Sequence, residues 1–323
     1  MTAGGAGQSM QAIRKTYKTN PRPDNPKLIK LPFAWINGDE ATMVNFKGRP
    51  LIVGSSRLHG GSEIYLSAQD LFTGNELSRF GDGYSFACGF VYGEELNVFA
   101  TKSAKKDTSD DWTSDVNRFW TTDAKTWESE MVLPRIGDRY LFNTSVCEDP
   151  DGFIMAYESD KPAIWSTRLA RSKDLRNWKR IPDLEFTDVV FANPTIRYIE
   201  PYYYLMLGTH RTKPPVTDYE YHFQSTRYVT FLIRSSDLEV WDVSPTRYPM
   251  LDADIGEGIN NTDADLFEHE GNTYIYYITG DQKTWGSGRL AMYSGPLREC
   301  LEAYFPEGVP CVRYNAREVN FIH

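Results

Sequence analysis

No run of about 18 apolar residues occurs in the 323-residue chain, so no helix of it has the length and apolarity to cross a membrane, and no membrane partner is expected. The first ten residues, Met1 to Met10, have neither a basic start nor an apolar core, which is not the pattern of a signal peptide. Residues 1–26 are expected to be a flexible leader, with Met10 as an alternative start, and the expected location is the cytoplasm. Cysteine is scarce, and Cys88, Cys147, Cys300 and Cys311 lack metal-ligand spacing. Cys88 and Cys147 sit in apolar strand patterns and read as buried thiols, while Cys300 and Cys311 are a possible pair. There is no glycine-rich phosphate loop, no zincin helix and no nucleophile elbow. Positive charge is in deficit, with 35 Lys and Arg against 44 Asp and Glu for a net charge of −9. That balance argues against a nucleic-acid partner, which needs a basic face to release counterions. A neutral or cationic small molecule fits it better.

Aromatic residues, by contrast, are plentiful: 20 Tyr, 17 Phe and 8 Trp, which favour strands and supply the flat apolar faces that sugars stack on. One layout recurs five times, a strand, a turn and a second strand, opening at Glu40, Ser85, Asn143, Asn193 and Asp263. Downstream of the middle copies comes a near-identical phrase: Thr121-Thr-Asp-Ala-Lys-Thr-Trp127, Ser172-Lys-Asp-Leu-Arg-Asn-Trp178 and Ser235-Ser-Asp-Leu-Glu-Val-Trp241. The first and last copies keep only Ser67-Ala-Gln-Asp-Leu71 and Ser294-Gly-Pro-Leu297. The phrase reads as a third strand ending in a tight turn, with Asp bonding the turn backbone and Trp filling the space between neighbouring sheets. A period near 50 residues without long amphipathic helices predicts an all-β, single-domain, five-bladed β-propeller over residues 27–310, followed by a tail at 311–323. The stretch 27–33 is expected to add a strand to the last blade. Insertions at 102–117, 211–228 and 250–261 are expected to crowd one rim.

In such a fold the opening residue of each copy faces the axis. Asp39, Glu40, Asn143, Asn193, Asp263 and Asp265 therefore converge with the ends of the second strands, which bring Arg57, His59, Lys102, Glu158, His210, Arg211 and Asp281. Asn261, Asp263 and Asp265 alternate, so an uninterrupted strand sets all three on one face. With Trp35, Tyr84 and Trp285 nearby, the expected result is a polar cup with aromatic walls. Paired carboxylates in a polar cup suit glycosidic bond cleavage, one protonating the leaving oxygen and the other activating water. Asp39, Glu40, Glu158 and Asp263 are the catalytic candidates. Arg57, His59, Asn143, Asn193, His210, Arg211, Asp265, Asp281 and Trp285 are the substrate-binding candidates. No cofactor is required, although Asp263 and Asp265 with Asn260, Asn261 and Thr262 offer oxygens of the kind Ca²⁺ takes.

Over residues 30–305 the repeats, and the phrase Ser172–Trp178 above all, resemble those of the five-bladed β-propeller glycoside hydrolases, family 43 and its relatives. The resemblance implies inversion, with a base Asp opening the first blade, a tuning Asp opening the third and an acid Glu near the start of the fourth. The first of these falls on Glu40, or on Asp39 with a shift of one. The third falls on Asn143, which cannot ionise, and the fourth on Ala192-Asn193-Pro194-Thr195, which has no Glu. Glu158, Asp263 and His210 are then the candidates for the acid. The expected function is an exo-acting, inverting glycosidase on short oligosaccharides. A propeller phosphorylase using Arg57, Lys102, His210 and Arg211 for phosphate, and a non-catalytic sugar-binding propeller, are the alternatives.

Overall fold

The computed structural model describes residues 28–36, 38–57, 64–102, 115–137, 140–161, 166–186, 192–211, 227–245, 249–254, 256–281 and 286–322. The alternation of apolar residues produces strands throughout, and the four-strand layout recurs five times. The first unit is β2 (Gly38–Phe46), β3 (Arg49–Arg57), β4 (Ile64–Asp70) and β5 (Glu76–Phe80). The second is β6 (Tyr84–Tyr92), β7 (Glu95–Lys102), β8 (Val116–Thr121) and β9 (Glu128–Leu133). The third is β10 (Leu141–Asp149), β11 (Gly152–Ser159), β12 (Ser166–Ser172) and β13 (Lys179–Phe186). Each of these forms a separate antiparallel sheet. The fourth unit, β14 (Ala192–Ile199), β15 (Tyr202–Arg211), β16 (Arg227–Ser235) and β17 (Val240–Val243), shares a ten-stranded sheet with the fifth. The fifth is β18 (Asn260–His269), β19 (Asn272–Gly280) and β20 (Ser287–Tyr293), completed by the N-terminal β1 (Ile29–Ile36), which pairs antiparallel with β20. The fold is an all-β propeller.

The strand from the N-terminus is held by a buried cage as well as by its ladder. Lys30 Nζ donates to the Asp252 carbonyl at 2.6 Å, to Glu257 Oε2 at 2.6 Å and to Asn261 Oδ1 at 2.7 Å. Two departures from the sequence expectations follow the packing. Residues 250–261 are not simply a rim insertion: Met250, Leu251 and Ala253 are buried between the fourth and fifth units, and Leu251 bridges to Thr230. Residues 311–323, set apart as a tail, carry β21 (Val312–Asn315) and β22 (Asn320–Ile322), which extend the sheet outward from β17. Among these, Tyr314 is fully buried against Phe186 at 5.6 Å, so apolar area holds the segment to the outer edge. All four cysteines are free thiols, so the alternative of a Cys300–Cys311 pair is not taken. Among the described residues one short helix, α1 (Leu297–Glu302), follows β20.

The turn phrase behaves as its chemistry predicts. Asp174 accepts the amides of Arg176 and Asn177 at 2.9 and 2.8 Å, and Asp237 those of Glu239 and Val240 at 2.8 and 2.9 Å. Asp123 does the same for Lys125 and Thr126. Each Trp then packs on an aromatic ring of the preceding unit: Trp127 on Phe80, Trp178 on Phe99 and Trp241 on Phe186, at 3.7, 5.9 and 5.4 Å between ring centres. The apolar clusters lie between successive units, and one of them joins the fifth to the first through Met43, Ile52, Phe267 and Tyr276. Replacing Trp241, fully buried, by Ala is expected to cost about 3–5 kcal/mol in urea unfolding. The partly exposed Trp127 is expected to cost less, and a larger loss at Trp127 would contradict this packing hierarchy.

Candidate active site

Every first strand carries the same irregularity. The ladder gains one extra residue between Gly38 and Ala41, Ser85 and Cys88, Phe142 and Ser145, Ala192 and Thr195, and Thr262 and Asp265. In four of the five the bulged residue has a left-handed backbone: Phe86 at φ 57°, Asn143 at 46°, Asn193 at 52° and Asp263 at 54°. Such a conformation costs a non-glycine residue about 1–3 kcal/mol, so the surrounding ladder must impose it. Asp39 occupies the equivalent register position in β2. A cavity opens where the five bulges meet, and residues of all five first strands line it: Glu40, Phe86, Asn143, Asn193, Asp263 and Asp265 among them.

The bulge overturns the expectation that Asn261, Asp263 and Asp265 share one face. One extra residue reverses the alternation, as a register slip would. Asn261 is accordingly drawn to Lys30, whereas Asp265 pairs with the Arg197 guanidinium. Similarly, the opening residue of the second unit is Phe86 rather than Ser85, which puts an aromatic ring where a hydroxyl was expected.

Two carboxyl groups meet at one asparagine. The backbone N–H of Asn193 donates to Glu158 Oε1, and its side-chain Nδ2 donates to Asp263 Oδ1. Asn143 Nδ2 donates to Glu158 Oε2 at 2.9 Å, and the Thr262 hydroxyl lies 2.8 Å from Asp263 Oδ2. Close approach is built in here, since a Cβ at Gly208 would stand 2.9 Å from Asn193 Oδ1. Glu158 is 0% exposed, and burial pushes its carboxyl up to about 8, with the Asp263 charge adding to the rise and the two asparagine donors opposing it. It is therefore mostly a neutral acid at pH 7. It is absent from the cavity wall, because it ends the second strand and the bulged Asn143 and Asn193 stand between it and the axis. Its partners are the Asn143 side-chain amide and the Asn193 backbone N–H.

Below this level lies the buried Arg197–Asp265 pair, with Arg197 Nη1 also donating to the Ile196 carbonyl at 2.8 Å and Nη2 to that of Leu266 at 3.0 Å. Asp265 thus answers to Arg197 before any ligand. Burial pushes the neighbouring Cys88 and Cys147 thiols up to about 11 and about 12, so neither is a nucleophile near neutral pH. Among the described residues no cluster of three or more His, Cys, Asp or Glu could hold a metal ion.

Of the other expected residues, Asp281 is exposed just beyond β19 and does not line the cavity. Lys102 is exposed at the end of β7, and Tyr84 packs edge-on against Phe119 in the interior instead of walling the cup. His59 and Trp285 lie outside the described residues, and so do the side chains of Trp35, Asp39, Arg57, His210 and Arg211. Phe86 is the site residue that sequence reading missed. The signal for it was the one-residue offset between its copy and the others.

No family model matches the chain, and no curated protein matches it in sequence. Solved structures do match in shape. An RGII complex of BT0996 is 14% identical with a TM-score of 0.58, over 89% of this protein and 96% of that one. The GH43 protein BlXynB from Bacillus licheniformis is 12% identical with a TM-score of 0.57, over 82% of this protein and 54% of that one. An exo-1,5-α-L-arabinanase from a bovine ruminal metagenomic library is 11% identical with a TM-score of 0.53, over 80% of this protein and 94% of that one. At these identities the likeness is one of fold: the protein has the propeller fold of the family 43-like glycoside hydrolases and related enzymes.

The raised Glu158 carboxyl has a consequence for stability that can be signed. Its ordinary value is 4.5, so between about 4.5 and about 8 the folded protein holds a proton that the unfolded chain has lost. This group therefore lowers stability as pH rises across that window, and adds no further change above it. In Glu158→Gln that contribution disappears. The stability of the variant relative to the wild type should climb from pH 4.5 to 8 in denaturant titrations, and a pH-independent difference would refute a buried neutral acid.

Proposed function

We propose that the protein is a glycoside hydrolase, a single five-bladed propeller that cleaves short oligosaccharides at its axial cavity. The observation that carries this reading is a cavity lined by carboxyl groups from two different units, Glu40 and Asp263. Asp263 lines the cavity with both oxygens accepting hydrogen bonds, while Glu158 behind it is held as a neutral acid. Two carboxyl groups on one cavity, one to protonate the leaving oxygen and one to activate water, are what acid–base cleavage of an acetal requires.

In this reading Asp263 is the general base, accepting a proton from the attacking water. Its acid partner comes from the Asp39–Glu40 pair across the cavity: Glu40 lines the wall and Asp39 holds the register position of the other bulged residues. Their protonation of the leaving oxygen would release the sugar, with inversion as in the family the chain resembles. Phe86 offers a ring face to the sugar. Glu158, sealed from the cavity, is a positioning residue that acts through Asn143 and Asn193. An exo mode fits a cavity confined to the axis, and no cofactor enters the chemistry.

The test is a screen of aryl glycosides and oligosaccharides, with and without inorganic phosphate, on wild type and Asp263→Asn. The expected result is phosphate-independent hydrolysis that falls at least about 10²-fold in Asp263→Asn with an unchanged melting temperature. Turnover that needs phosphate would establish a phosphorylase instead. Sugar binding without turnover, equal in both proteins, would establish a binding module.

A further inference from the structure

Thr262 and Asp263 are neighbours whose side chains a regular strand would keep apart, since successive side chains point to opposite faces. Thr262 holds the last regular rung of β18, opposite Ile278, and Asp263 is the bulged residue with a left-handed backbone. The bulge brings the two side chains together, with Thr262 Oγ1 2.8 Å from Asp263 Oδ2. The other branch of Thr262 is fixed as well. A Cβ at Gly208 would stand 3.2 Å from its methyl carbon, so the glycine makes the room that the methyl fills. Thr262 is 3% exposed and does not line the cavity.

The same hydroxyl lies 2.9 Å from Asn260 Oδ1, in an amide whose Nδ2 faces the Ile278 carbonyl. Three oxygens are thus linked through Thr262. A hydroxyl has one hydrogen to give and lone pairs with which to accept. With Asp263 ionised, that hydrogen goes to the carboxylate, whose charge makes it the stronger acceptor. With a proton on Asp263 Oδ2, the hydroxyl accepts from the acid and gives its own hydrogen to Asn260.

We propose that Thr262 is a positioning residue for Asp263, its hydroxyl holding the carboxyl group in both the ionised and the protonated state. The inference rests on the reading of Asp263 as the base, which is a carboxylate before the step and an acid after it. In that step an O–H bond of the attacking water breaks, and an O–H bond to Asp263 forms. The water oxygen bonds to the sugar carbon, and the leaving oxygen takes its proton from the acid partner. Thr262 transfers no proton; it reverses one hydrogen bond, and Asn260 receives the hydrogen that is turned away. Without the hydroxyl, the carboxylate loses a charge-assisted bond and the acid only a weaker neutral one, so the ionised base suffers more.

Charged groups reach Asp263 from several strands. Glu158 on β11 interacts with it, Glu40 on β2 shares its cavity wall, and Asp265 on β18 is paired with Arg197 on β14. Substitutions at Thr262 change none of these groups, so a difference between variants reports the hydroxyl.

The experiment is a titration of the ¹³C-labelled aspartate carboxyl carbons, with the Asp263 signal assigned by its loss in Asp263→Asn. In Thr262→Val, which keeps the methyl against Gly208, the Asp263 midpoint is expected to rise by about one pH unit. Thr262→Ala should show the same rise, and serves should valine not hold the fold. Thr262→Ser keeps the hydroxyl and should titrate as the wild type does. In turnover, the acid limb of the kcat/KM profile should move up with the midpoint in the valine variant and stay in place in the serine variant. A midpoint unchanged without the hydroxyl, or one that rises equally in Thr262→Ser, overturns the assignment. Because the carboxyl titration needs no turnover, its failure leaves the glycosidase reading standing, and an inactive protein leaves the role of Thr262 testable.

Discussion

A buried ion pair at the axis fixes what lies above it. Arg197 on β14 and Asp265 on β18 meet with their charges largely shielded from water, and the guanidinium also ties down the carbonyls of Ile196 and Leu266. Ser145 on β10 joins the same belt by accepting the Ile196 N–H at 3.1 Å. Two more rungs climb the same pair of strands: Thr195 to the Ala264 carbonyl at 2.6 Å, then Asn193 to Asp263. The register of β14 against β18 is therefore set by three side-chain contacts in sequence. Whatever the pair costs in desolvation, it leaves one alignment of the two strands in which all three are made.

That alignment is what makes the bulges useful. A bulge alone would turn Asn193 and Asp263 toward the axis; the rungs beneath bring them within reach of each other. Once Asn193 is there, its N–H and its side chain point to two different carboxyl groups, and the protonation of Glu158 becomes coupled to the arrangement around Asp263. The strained backbone at Asn143, Asn193 and Asp263 and the neutral carboxyl of Glu158 are thus consequences of one packing solution. The fold and the chemistry share the same few residues.

Much of this was legible in the sequence, for physical reasons that can be named. The Asp-x-x-x-Trp phrase is local chemistry, an Asp that binds the next amides and a Trp that needs a neighbouring sheet, so it marked the turn after the third strand in three copies. The fourth strands of the first four units were not read, although β9, β13 and β17 follow or contain a Trp of that phrase. The bulges were invisible for a physical reason. Alternation of polar residues in Asn261-Thr-Asp-Ala-Asp265 predicts one face, and only the ladder against β19 shows that an extra residue reverses it. Glu158 was found as a candidate, but its depth was not, since burial behind Asn143 and Asn193 depends on two other strands. Phe86 and the cage around Lys30 are likewise products of long-range pairing.

The central claim, that the Arg197–Asp265 pair sets the axis, is tested most directly by a double-mutant cycle in urea unfolding with Arg197→Met and Asp265→Leu. Arg197→Met alone should destabilise by about 3–5 kcal/mol, because it leaves Asp265 buried without its partner, and adding Asp265→Leu should recover most of that loss. Two independent losses that simply add would contradict the account.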